Sequence, residues 1–150
     1  MSDYVLGKDA KAYFAASANA ALAAMTEMDN IQDATCDMSK SEIIISSRAG
    51  SGWELTAAGL KKAAIDFKML WKPGDTAFDA IQANWDSGAA LSMAFLDGGK
   101  AVVGSQGMHG NFQVTNFKRN EPIDGPITVD VTVKMSSVIT GGTGWTKVAA

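Results

Sequence analysis

Residues 110–137, GNFQVTNFKRNEPIDGPITVDVTVKMSS, decide the fold. In their second half Ile127, Val129, Val131, Val133 and Met135 alternate with Thr128, Asp130, Thr132 and Lys134. Successive side chains of a strand point to opposite faces, so this run specifies a sheet with one buried and one polar side. Between the halves, Asn120-Glu121-Pro122-Ile123-Asp124-Gly125-Pro126 carries the Pro and Asp-Gly residues that stop a strand and reverse the chain. The ladder holds no catalytic group, and what it implies is structural.

The totals bound the rest. A chain of 150 residues is expected to form a single domain. Such a domain buries roughly 68–70% of its unfolded surface, enough for a core without staples. With 47% hydrophobic and 19% charged residues it is neither a disordered nor a membrane sequence by composition. A net charge of −3, spread along the chain, gives no basic footprint for gripping phosphates and no acidic tail. Cys36 is the single cysteine, which excludes an internal disulfide and a cysteine-based metal cluster. It is expected as a small buried hydrophobe. The opening MSDYVLGKDA lacks the basic start and apolar run of a signal peptide. No stretch approaches the ~18 apolar residues of a spanning helix, so synthesis in a cytoplasm without membrane insertion is expected.

Outward from the deciding stretch, Lys11–Ser17 reads as a strand followed by a loop, and Ile31–Met38 alternates weakly. Glu42–Ser47 is a β-branched run ending at the Gly-rich turn 48–52. From Lys62, the residues Ala63, Ile65, Phe67, Met69 and Trp71 alternate with Lys62, Ala64, Asp66, Lys68 and Leu70. Twelve strand residues from Leu60 would span roughly 40 Å at ~3.3 Å each. The radius of gyration of a domain this size is only about 15 Å. The strand must therefore bend, at Gly59, or project and find hydrogen-bond partners on a neighbour. After Pro73-Gly74, a helix over about 76–87 is expected, capped by Asp75 or Thr76, with Phe78, Ile81 and Trp85 on one apolar face. Leu91–Leu96 reads as a strand turning at Asp97-Gly98-Gly99, with Ala101–Val103 pairing back. Residues 140–144 read as flexible and the tail as loosely held. The sum is a mainly β fold, a two-sheet sandwich or barrel with one flanking α-helix.

Residues suited to chemistry are sparse. His109, the sole histidine, stands in a Gly-rich segment read as a turn, without a serine or cysteine nucleophile motif. A small hydrolase built on it is the weakest reading. Asp29, Asp33 and Asp37 repeat every four residues, either as a solvated acidic face or, less simply, a cation site. Trp71 and Trp85 sit at buried phases of strand and helix, whereas Trp53, beside a glycine turn, suits an outside contact. An alternative function class is a sandwich module binding carbohydrate or protein through exposed aromatics.

The succession of motifs resembles the major tail tube proteins of long-tailed bacteriophages, gene transfer agents and related injection machines. It runs Gly7-Lys8-Asp9-Ala10-Lys11, then Ser46-Ser47-Arg48 with a Gly turn and Trp53, the capped helix, and Leu96-Asp97-Gly98. It closes on residues 110–117 (GNFQVTNF), Asn120-Glu121-Pro122 and a Thr-Val strand. The resemblance implies a structural virion protein, not an enzyme, with no cofactor and no metal. Six copies would form a ring whose inner sheets join into one barrel, and rings would stack into a tube that conducts genomic DNA. It implies self-contacts, a tape measure protein, tail terminator and baseplate proteins, and the transient passage of double-stranded DNA. Residues 1–8 and 140–150 become candidates for flexible or inter-subunit arms. Glu42, Arg48 and Trp53 are the candidate inter-subunit or inter-ring contacts, with Arg48 as ion-pair donor and Trp53 as anchor. Lys62, Ala64, Asp66 and Lys68 mark a candidate inner-sheet strand, its lysines neutralised by Asp33, Asp37 or Asp66. Phe78, Ile81 and Trp85 anchor the helix to the core.

Overall fold

The computed structural model describes residues 4, 6–140 and 142–149. In chain order the strands are β1 (Lys11–Ala15), β2 (Thr26–Glu27), β3 (Ile31–Ile44) and β4 (Thr56–Leu70). Helix α1 (Thr76–Ser87) follows, then β5 (Leu91–Leu96), β6 (Gln106–Asn120), β7 (Thr128–Val138) and β8 (Trp145–Lys147). They form one antiparallel sheet in the order β2-β1-β5-β6-β7-β4-β3, with β8 continuing alongside the start of β6. The mainly β reading with one flanking helix holds. What looked like two sheets is one sheet folded over, ending at β2 and β3 instead of closing.

The fold-over is forced by the apolar face. Val129, Val131 and Val133 of β7, Ile65, Phe67 and Met69 of β4, and Leu91, Met93 and Phe95 of β5 all bury into one cluster. Because β5 is buried along its whole length, its other face also needs cover. Tyr13, Met25, Ala94 and Leu96 make a second small core there, backed by Ala20 and Leu22. A polar clamp holds this covering segment down: Asn19 N–H donates to Asn111 Oδ1 at 2.7 Å and Ala20 N–H to Ser92 Oγ at 2.9 Å. Ser92 and Asn111 are buried, and these bonds satisfy groups that would otherwise cost about 1–3 kcal/mol each.

Helix α1 begins where Asp75 accepts the Phe78 N–H at 3.1 Å, and ends at Gly88, whose φ of 77° suits glycine. Phe78 and Ile81 are buried, with Phe78 edge-on to Trp71 at 4.3 Å between ring centroids. Trp85, expected as a third core anchor, is instead 49% exposed. The buried stripe runs through Ala77, Phe78, Ile81 and Asn84, leaving Trp85 on its flank in the last turn against Phe117. Trp71 is half-buried, with the Arg119 guanidinium 4.9 Å above its ring.

Several local readings are corrected. Residues 31–47 are not two segments: β3 runs unbroken from Ile31 to Ile44, exposed along nearly its whole length. Because it buries so little in the lone chain, its sequence shows no strong alternation. Residues 101–103 are turn, not strand; Val102 N–H bonds Gly99 O, and β5 pairs with β6 from Gly107 onward. His109 lies inside β6 opposite Ala94, not in a turn. The C-terminal tail is tied down, since β8 pairs with Gln106–Met108 and Val148 N–H bonds Ser105 O at 2.8 Å. Gly141 and Ala150 lie outside the described residues, as do residues 1–3 and 5 of the segment 1–8 expected as a flexible or inter-subunit arm. Cys36 is exposed, not buried.

Candidate assembly surfaces

Strand β4 pairs with β7 only over Ala64–Leu70. Its first half, Thr56–Ala63, is joined on one side to β3 alone and leaves the sheet as a two-stranded arm. Within the arm the register slips between Lys40 and Glu42, so that Gly59 and Leu60 oppose the single residue Ser41. This is the bend expected at Gly59. A Cβ on Gly59 would meet Ser41 Oγ, and that hydroxyl accepts the freed Leu60 N–H at 2.9 Å.

The arm is apolar and uncovered. Ile43, Ile44, Ile45 and Leu55 are exposed, Trp53 is 76% exposed and Leu60 81%. Isolated two-stranded hairpins are marginal in water, and large exposed apolar patches mark contact sites. Glu42 lies on the arm opposite Ala58, Arg48 opens a 3-10 turn at its tip, and Trp53 closes that tip with its N–H on Gly50 O. Leu60 belongs with them and was missed. The signal was there, a leucine in the polar phase of the strand directly after a glycine.

The other face of the sheet carries a grid of polar residues. Lys62, Ala64, Asp66 and Lys68 share it. The register places Lys68 between Asp33 of β3 and Asp130 of β7, and Asp130 in turn opposite Lys118 of β6. One row lower Asp66 stands between Thr35 and Thr132, whose hydroxyl it accepts at 2.5 Å. Asp37 registers with Ala64 and Lys62 with Ser39. Of the acids weighed as partners for the lysines, Asp33 is the one set opposite Lys68. Opposite charges facing each other across strands stabilise the sheet modestly.

Groups suited to catalysis are committed elsewhere. His109 Nε2–H donates to the Ala20 carbonyl at 3.1 Å, helping to fasten the segment over β5. Among the described residues no set of three His, Cys, Asp or Glu side chains is placed to hold a metal ion. No described helix is long and apolar enough to cross a membrane. Cys36, though exposed, faces a cleft of about 790 Å³ between β3 and the end of β5, whose walls partly desolvate the thiol and push it above its ordinary value.

The described residues thus form a curled antiparallel sheet with an uncovered arm and a flanking helix. A family model for phage tail tube proteins matches residues 6–141, and the chain belongs to that family. No curated protein matches the sequence. Among solved structures the chain is similar to the SPP1 tail tube, with a TM-score of 0.74 at 15% identity over 98% of this chain and 81% of that one. It is similar to the tail of an empty gene transfer agent particle, refined helically with C6 symmetry (TM-score 0.69, 15% identity, 96% and 98% of the two chains). A chain of the native gene transfer agent virion matches with a TM-score of 0.68 at 13% identity over 89% and 95%. The protein is therefore a tail tube structural protein, a component of a virion tail.

Proposed function

We propose that copies of this chain close into six-membered rings, and that the rings stack into the tail tube through which double-stranded DNA leaves the particle. The role is assembly, with no turnover and no cofactor. The observation that carries the reading is the arm built from the ends of β3 and β4. It exposes isoleucines, Trp53 and Leu60 that a lone subunit would bury if it were complete. Exposed sheet margins at β2 and β3 point the same way, because joining margins between copies removes templates for aggregation.

The polar grid on β3, β4, β7 and β6 is the natural lining for the channel. Its acids Asp33, Asp37, Asp66 and Asp130 are matched by Lys62, Lys68, Lys118 and Lys134, so the face offers DNA little net attraction. A conduit gripping phosphates through many cations would hold its cargo in a salt-dependent manner. The subunit would be made in the host cytoplasm, surround a tape measure protein, and meet terminator and baseplate proteins at the tube ends. Electron microscopy of the purified protein tests this. Tubes are expected from the parent and dispersed subunits when residues 44–55 are replaced by a two-residue turn. Equal polymerisation of both would refute the role given to the arm.

A further inference from the structure

Where β4 leaves β7, beyond Ala64 and Lys134, the two strands diverge and leave a groove of about 710 Å³. Its floor is apolar, made by Met38, Ala63, Met108, Met135 and Trp145. Its rim is basic. Lys40 and Lys61 face each other directly across β3 and β4, an arrangement that like charges disfavour. Among the described residues neither forms an ion pair with a carboxylate. A groove with a greasy floor and an unneutralised cationic lip calls for an occupant that is apolar and flanked by acid.

The chain presents such a segment at the far end of the same strands. The loop between β6 and β7 carries Ile123, 99% exposed, with Asp124 next to it and Glu121 two residues before. Glu121 is held by Arg119 at 3.2 Å, which leaves Asp124 as the carboxylate available to a neighbour. The loop precedes Thr128, which pairs with Leu70, whereas the groove begins past Lys134, which pairs with Ala64. The stretch of β7 from Thr128 to Lys134 separates the two sites by roughly 23 Å.

We infer that the Ile123–Asp124 loop of one copy seats in the Met135–Trp145 groove of the next copy along the tube, with Asp124 neutralising Lys40 and Lys61. Complementary sites at opposite ends of one molecule form a heterologous contact that repeats without closing, which is how a filament grows. The inference rests on the tube reading above and names a second longitudinal contact beside the arm.

A charge exchange tests it, using the full chain and sedimentation with electron microscopy. Asp124→Lys and Lys61→Glu are each expected to raise the critical concentration for tube formation about tenfold, the effect of one lost interfacial charge pair. The double variant is expected to return toward the parent value. Thermal melting of the unassembled subunits should be unchanged for Asp124→Lys and should not fall for Lys61→Glu, which relieves the repulsion with Lys40, since both side chains are exposed. If either single variant assembles as the parent does, the contact is wrong while the tube reading stands. If Glu54→Lys, at the arm tip, rescues Lys61→Glu in place of Asp124→Lys, the groove holds the arm instead and the inference falls. A parent protein that stays monomeric at high concentration removes the tube reading, and this contact with it.

Discussion

The rings of Phe67 and Phe95 meet edge-on with centroids 5.8 Å apart, although their strands stand three places apart in the sheet. In a flat sheet three steps of about 4.8 Å would hold them roughly 14 Å apart. The contact therefore measures how far the sheet folds over, and both rings are buried to hold it there. Edge-to-face geometry adds about 0.5–1.5 kcal/mol beyond the burial itself.

Removing one ring should loosen the whole fold. Phe95→Ala is expected to destabilise the unassembled subunit by about 3–5 kcal/mol. Urea unfolding followed by tryptophan fluorescence reads this directly. A loss under ~1 kcal/mol would mean that the layers are held by something other than this contact.

The arm should behave in the opposite way. Trp53→Ala and Leu60→Ala remove exposed side chains, so subunit stability should stay within about 0.5 kcal/mol of the parent. Polymerisation, measured by light scattering, should slow or stop. Variants that polymerise normally would show that neither side chain is an anchor.

The two aromatic residues of α1 should separate. Phe78→Ala is expected to cost about 3–5 kcal/mol, while Trp85→Ala, half exposed beside Phe117, should cost less than half of that. Equal losses in denaturant midpoint at constant slope would contradict the placement of Trp85 on the flank.

How much was legible follows from which residues are buried within one chain. Strand β7 reads cleanly because Val129, Val131 and Val133 are buried while its other face is polar. Strand β3 does not, because nearly all of it is exposed in the chain, so burial imposes no alternation on it. The bulge at Gln32 also matters. It turns Ile31 into the core and sends Asp33 to the polar face, although the two stand in one phase of the sequence. Gly107 and Gly110 read as turn signals around His109, yet they mark close packing inside a strand. A Cβ on Gly107 would collide with the Phe95 carbonyl, and one on Gly110 would lie 2.8 Å from Met135 Cε. The exposure of Trp53 beside its glycine turn was legible, but not that of Leu60, nor the slip that pairs Lys40 with Lys61, because register depends on bulges.

Cys36 gives a pH-dependent check. Partial desolvation in the cleft raises its thiol, so the folded chain binds the proton more tightly than the unfolded one. Compared with Cys36→Ser, stability should be fully retained below the ordinary thiol range of about 8.5 and should fall as pH rises through the folded value. Alkylation by iodoacetamide at pH 8 should be slower than for a free thiol, because the thiolate is the reactive form. Reaction at the free-thiol rate would place the sulfur in open water.

The most direct test of the account is a helical reconstruction by cryo-electron microscopy of the purified protein at high concentration. It should yield hollow tubes of stacked six-fold rings, with each Trp53 arm buried against a neighbouring ring and the Asp66–Lys68 face toward the channel. A dispersed monomer whose arm stays in solvent, or a filament without a channel, would contradict it.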